Sequence, residues 1–243
     1  MATAWQRLNV KTRFSNLREM FGFNQKIIFA NKFIYFLLAA VAFFLLVVFI
    51  NLFSDSNPSA SLVYAWLLFP GILLIFYPAT FGIQNDLDAR MLEMIFGIPD
   101  YRYKVWLVRL LMMIAVVYGL ILLLAVLSSV ALVKIPILEM SLQLMFPIVF
   151  LGTLGFALST VVKNGNGTAV VMVVIGMIFW IASGIVERSK WNLFLNPFSQ
   201  PTDMNEALWR SIVTSNRVIL LVGIVLTTLW GLFRLQKREA LLN

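Results

Sequence analysis

Phe33-Ile-Tyr-Phe-Leu-Leu-Ala-Ala-Val-Ala-Phe-Phe-Leu-Leu-Val-Val-Phe-Ile-Asn-Leu-Phe53 contains no charged side chain. A helix needs about 20 apolar residues to cross a hydrocarbon core of ~30 Å, and this stretch supplies them. It follows a long polar and basic lead, with no small-residue cleavage site after it, so it reads as a retained span rather than a cleavable signal. Comparable runs follow at 61–83, 105–133, 143–162, 168–186 and 218–233. The expected fold is therefore all-α and integral to a membrane, with six transmembrane helices.

Composition agrees. Of 243 residues, 61% are hydrophobic and 12% charged, and mean hydropathy is +0.90. A soluble domain of this length needs more charge to cover its surface. Cysteine and histidine are both absent, which removes disulfides, thiol chemistry, the commonest zinc and haem ligands and the commonest general base. The net charge of +8 reads as topology rather than as nucleic-acid binding. Arg7, Lys11, Arg13, Arg18, Lys26, Lys32, Arg90, Arg102, Lys104, Arg109, Lys163, Arg234, Lys237 and Arg238 fall on one side of the six runs. Lys134, Arg188, Lys190, Arg210 and Arg217 fall on the other, together making the 19 basic residues of the chain. The richer side is expected to be cytoplasmic, which puts both termini there, in a plasma membrane and most naturally a bacterial inner membrane.

The chain reads as a single transmembrane domain over 1–243. Its connections are unequal. The outer segments 54–60 and 134–141 are short, and the inner Lys163-Asn-Gly-Asn-Gly167 reads as a tight turn whose glycines permit positive φ. The inner segment 84–104 and the outer segment 187–217 are too long to be turns. The lead 1–32 mixes basic residues with Phe14, Leu17, Met20 and Phe21, spaced to form one apolar helical face. It is expected to be an interfacial helix anchoring the first span.

None of the acidic residues falls inside an apolar run. Ion-coupled pumps carry ionisable groups at membrane depth, so that class lacks its residues here. No Gly-x-Ser-x-Gly turn and no Gly-x-x-x-x-Gly-Lys-Ser/Thr phosphate loop occur. The chain is not expected to be an enzyme, and any nucleotide hydrolysis that drives it must belong to another polypeptide.

Between the second and third runs stands Asn85-Asp-Leu-Asp-Ala-Arg-Met-Leu-Glu-Met-Ile-Phe-Gly-Ile-Pro-Asp-Tyr-Arg-Tyr-Lys104. Asp86 and Asp88 suit the amino terminus of a short helix. Leu87, Met91, Leu92, Ile95 and Phe96 share one face of that helix, and Asp88, Arg90 and Glu93 point elsewhere. Gly97 and Pro99 end it, and Tyr101, Tyr103 and Trp106 suit the interfacial aromatic belt at re-entry. Such a helix either orients its neighbours or serves as a lever for a separate motor, and periodicity leaves both open.

The segment resembles the corresponding one of type-2 ATP-binding-cassette (ABC) transporter permeases. Asp86 and Asp88 match the acidic positions, Leu92-Glu93 the Leu-Glu pair, Pro99 the proline, and Arg102 and Arg109 the basic positions. Arg90-Met91 replaces the usual small residue before the pair. The likeness extends along nearly the whole chain: an amino-terminal interfacial helix, six spans, and a long outer segment, 187–217, that partly re-enters the membrane. Leu195-Asn-Pro-Phe198 matches the Asn-Pro turn often found there.

The resemblance implies a permease subunit of an ATP-driven exporter. Two permease copies, identical or related, pair, and each docks one cytoplasmic ATPase subunit that binds ATP and Mg; this chain itself binds no cofactor and no metal. Asp86, Asp88, Arg90, Leu92, Glu93, Phe96 and Pro99 are the expected contacts to the ATPase. The translocation pathway is expected along the first, second and fifth spans, with Asn51, Tyr64, Tyr77, Thr80 and Ser183 as its polar groups. A charge-free, Phe-rich wall suits hydrophobic or amphiphilic cargo entering from the lipid. The alternative is a non-transporting polytopic scaffold or assembly factor.

Overall fold

The computed structural model describes residues 33–53, 58–88, 102–162 and 164–236. Six helices account for nearly all of them: α1 (Phe33–Leu52), α2 (Ala60–Asp88), α3 (Arg102–Ala131), α4 (Ile137–Val162), α5 (Gly165–Ile185) and α6 (Glu206–Gln236). All six are long and apolar enough to cross a membrane, and no strand occurs among the described residues. The chain has the make-up of a multi-pass membrane protein.

Consecutive helices run in opposite directions. Ile83, Trp106, Phe156 and Leu235 meet in one cluster, which gathers the end of α2, the start of α3 and the ends of α4 and α6. This is called here the terminal end. At the opposite, connector end, Tyr64 of α2, Gln143 of α4 and Arg217 of α6 come together beneath the segment that joins α5 to α6.

Helix α1 illustrates why these segments suit lipid. Only Phe33, Ala40, Phe44 and Val47 are buried, a narrow stripe facing the bundle. The rest of the surface carries Tyr35, Leu38, Leu45, Leu46 and Phe49, all exposed. A helix apolar on every side is a core helix or a membrane span, and here none of the described residues covers the outer side. Half-buried rings beside the stripe mesh with α2: Phe43 lies 4.6 Å from Phe69 and Phe36 5.1 Å from Tyr77, centroid to centroid.

Helix α4 occupies the centre, packed against α2, α3, α5 and α6. Its buried residues include Gly152, Thr153, Gly155, Ser159 and Thr160, small side chains that let helices approach closely in a membrane. The fit against α2 is reciprocal. A Cβ at Gly71 of α2 would collide with the Ile148 side chain, and one at Gly152 of α4 would collide with that of Ile75. Each helix thus offers a glycine socket for the other's isoleucine.

Several boundaries differ from those read off hydropathy. Helix α4 starts at Ile137, right after Pro136, with Glu139 in its first turn. Helix α6 starts at Glu206, twelve residues ahead of the apolar run expected at 218. Its Asn205 side chain accepts the Ala207 N–H at 3.1 Å, capping the start as a helix N-cap does. Charged first turns hide such starts from a hydropathy scale. The expected turn at 163–167 is likewise the start of α5: the Asn164 side chain accepts from the N–H groups of Asn166 and Gly167. Gly165 and Gly167 take no positive φ. Gly165 serves close approach instead, since a Cβ there would strike Phe81 and the Gln84 side chain that its own N–H bonds.

Helix α2 continues through Pro70, Pro78 and the chain's polar stretch to Asp88. Asp86 and Asp88 therefore lie in its last turn rather than opening a separate helix. No Gly or Pro stands between Gly82 and Asp88 to stop it. The lead 1–32 and the proposed lever residues Arg90, Leu92, Glu93, Phe96 and Pro99 lie outside the described residues.

Candidate functional site

Among the described residues, hydrogen bonds between distant segments gather at the connector end. The segment between α5 and α6 has no regular secondary structure beyond turns, and three asparagines organise it. Asn192 accepts from Phe194 N at 3.0 Å and donates to Glu187 O at 3.2 Å. Asn196 accepts from Phe198 N at 3.0 Å and donates to Ser61 O at 2.8 Å, tying the Asn-Pro turn to the start of α2. Asn216 of α6 donates to Lys190 O at 2.9 Å and to Asn192 O at 2.8 Å. Trp209 adds an indole N–H to Pro197 O at 3.0 Å. Asn192 and Asn196 close Asx turns on their own backbone, and the amide groups of Asn196 and Asn216 fasten the segment to α2 and α6.

Arg217 sits at the centre of this clasp, only 6% exposed. Its Nε donates to Gln143 Oε1 at 2.7 Å, one terminal nitrogen to Asn216 Oδ1 at 3.1 Å and the other to Leu195 O at 3.1 Å. The guanidinium also lies 5.3 Å from the centroid of Phe146 and against the Tyr64 phenol. No carboxylate among the described residues pairs with it. A buried cation is costly unless its donors are met, and here neutral oxygens and a ring face meet them. The planar five-donor fork of arginine suits such a task better than lysine's point charge.

Pro147 has a part in this arrangement. Lacking an N–H, it leaves the carbonyl of Gln143, one turn earlier, without its usual helical partner. The Tyr64 hydroxyl stands 3.5 Å from that carbonyl and 3.4 Å from Leu195 O, long contacts that place the phenol between α4 and the connector. Tyr64 was expected to line a pathway; it is a buried member of the clasp.

The remaining pathway candidates do not converge. Asn51 donates back to Val47 O of its own helix at 2.9 Å. Tyr77 is 2% exposed and stacks on Phe36 and Phe81. Thr80 bonds Phe76 O at 2.8 Å, and Ser183 bonds Trp180 O at 2.6 Å. Along α2 alone, Tyr64 and Thr80 are about 24 Å apart at the usual helical rise. Sequence reasoning grouped residues that the fold distributes along the whole bundle.

Among the described residues are two cavities with room for a ligand. One, of about 250 Å³, is apolar and opens between α1, α2, α4 and α5; Phe36, Phe76, Thr80, Leu151, Met172 and Gly176 line it. Thr80 contributes little polarity, because its hydroxyl is engaged by its own helix. The other, of about 410 Å³, lies at the connector end, with Ser183, Glu187, Arg188, Asn192, Phe194 and Trp209 in its wall. A much smaller void of about 20 Å³ lies at the terminal end beside Trp106 and Arg109, where the Arg109 guanidinium is 5.5 Å from the Trp106 ring centroid.

Gln143, Asn192, Asn196 and Asn216 were absent from the sequence-derived site, and Arg217 was counted only as a loop charge. A signal existed: Asn216-Arg217 opens an apolar run, and Pro147 stands four residues beyond a lone glutamine. Among the described residues, no group of three or more His, Cys, Asp or Glu could hold a metal ion. Comparison with protein-family models, with curated proteins and with solved structures finds no match.

Proposed function

We propose that the chain is the membrane-spanning permease subunit of an ATP-driven ABC exporter in a bacterial inner membrane, with both termini cytoplasmic. ATP and Mg bind to separate ATPase subunits, two per complex, and a second permease copy or a related permease completes the pair. The observation that carries this reading is the residue order from the end of α2 to the start of α3: Asp86 and Asp88, then Leu92-Glu93, Pro99 and Arg102. Six apolar helices supply the spans such a subunit needs, and the excess of basic residues at the terminal end favours a cytoplasmic location for that end.

In this reading the segment 86–99 is gripped by the ATPase and passes its opening and closing to the spans as a rigid-body tilt. The apolar cavity among α1, α2, α4 and α5 supports hydrophobic or amphiphilic cargo, since apolar cavities of ~150 Å³ already bind small hydrocarbons.

Gentle purification in nanodiscs tests the proposal. A stoichiometric ATPase is expected to travel with the chain, and Glu93→Ala or Leu92→Ala with Phe96→Ala is expected to lower its permease-coupled hydrolysis severalfold. Recovery of the chain without any ATPase would overturn the permease reading in favour of a non-transporting scaffold.

A further inference from the structure

The geometry points to the 410 Å³ cavity at the connector end as a binding site for an ammonium-bearing amphiphile. The cavity has the volume of sites that hold small organic molecules, and its wall combines three features that favour a cation. Glu187 lines it, and no cationic side chain among the described residues pairs with that carboxylate. Arg188, the one cation in the wall, is neutralised by Asp203 at 2.6 Å. Among the described residues that leaves the wall with one carboxylate, Glu187, that no cation pairs.

The second feature is the end of α5. Ser183 and Gly184 line the cavity within the last turn of that helix, where unpaired carbonyls carry the negative end of the helix dipole and favour cations. The third is aromatic surface. Phe194 and Trp209 contribute to the wall, and ring faces attract alkylammonium groups by their quadrupole. Carboxylate, carbonyl end and aromatic wall form one recognition set.

An apolar arm has its own place. Ile181 and Ile185, in the last turns of the same helix, are 67% and 83% exposed, and Trp180 is 72% exposed. A ligand whose ammonium lies in the cavity can lay an alkyl chain along that face. The ligand class is therefore a cation with an apolar tail, whether a free amphiphile or a choline-type lipid headgroup. The asparagines of the wall spend their amide groups on the clasp, so they define its shape rather than the contacts.

The test needs no ATPase, so it stands apart from the permease reading. Purified chain in nanodiscs of phosphatidylglycerol is titrated with hexyltrimethylammonium, and binding is read from tryptophan fluorescence. Saturable binding is expected, with hexanesulfonate and hexanol failing to compete. Glu187→Gln is expected to weaken binding at least tenfold and Glu187→Asp less. Asp203→Asn, which frees Arg188, is also expected to weaken it. Both positions are exposed, so the thermal midpoint should not move in any of the three variants. Adding phosphatidylcholine to the discs assigns the source: competition supports a lipid headgroup in the site, and no competition supports a free amphiphile. Absence of saturable binding at millimolar probe, equal competition by hexanesulfonate or hexanol, or unchanged affinity in Glu187→Gln would overturn the proposal.

Discussion

Helices α4 and α5 are neighbours in sequence, similar in apolar character and opposite in circumstance. In its most apolar stretch α4 is 67% buried within the protein, whereas α5 is 11% buried. The difference lies in what the small residues meet rather than in hydropathy: Gly152 and Gly155 of α4 stand against neighbouring helices, whereas Gly176 and Gly184 of α5 meet nothing within 4 Å. Helix α4 presents glycines, threonines and serines to partners on several sides, while α5 carries Val170, Val173, Met177, Ile178 and Trp180 outward. In lipid, apolarity cannot drive helices together, because the tails are as apolar as leucine. Close fit and hydrogen bonds decide which helix becomes central.

The contrast can be broken hardest at the connector end of α4. Arg217→Ala removes three donors from Gln143, Leu195 O and Asn216, and hydrogen bonds to charged groups are worth about 1.5–3 kcal/mol each. Losses of at least about 3 kcal/mol are expected in reversible unfolding in detergent, with Arg217→Lys recovering part. A loss within error would mean that the clasp contributes nothing to holding the connector.

Paired glycine substitutions sharpen it. Gly152→Leu in α4 drives a side chain into Ile75, and overpacking of this kind costs about 1–3 kcal/mol. Gly176→Leu in α5 meets nothing within 4 Å of its Cβ and is expected to leave the unfolding midpoint unchanged. Equal effects at both sites would erase the distinction between the two helices. The smallest expected change is at mid-depth, where Thr227 of α6 donates to Thr153 of α4 at 2.8 Å. Thr227→Val should cost about 0.6 kcal/mol, the average for hydrogen bonds between membrane helices, measured by the same unfolding.

Much of the fold was legible in the sequence because a hydrocarbon core demands long apolar runs and punishes charge. All six helices followed from that rule. What it could not locate were helix starts outside the apolar core, as at Glu206 and Ile137, where polar first turns break the pattern without breaking the helix. The site was less legible. Tyr64 was singled out as a polar group in a span, yet its role depends on Leu195 and Gln143, residues far away in sequence. Arg217 looked like an ordinary boundary charge, since its place at the head of an apolar run does not reveal that neutral oxygens distant in sequence bury it. Asn51, Tyr77, Thr80 and Ser183 do not meet at one point for a related reason: in a helix a hydroxyl or amide can return to its own backbone, as Asn51, Thr80 and Ser183 do, while Tyr77 packs in the core.

Helix α6 has 31 residues, about 46 Å at the usual rise, and so exceeds a ~30 Å hydrocarbon core. Gly223 receives Phe150 and Gly231 receives Phe156, so the rod is toothed against α4 at two levels. Interlocked packing of this kind does not deform continuously; it holds or jumps. Between Arg217 and Leu235 a slip of α6 along α4 would therefore have to lift both rings out of their sockets at once.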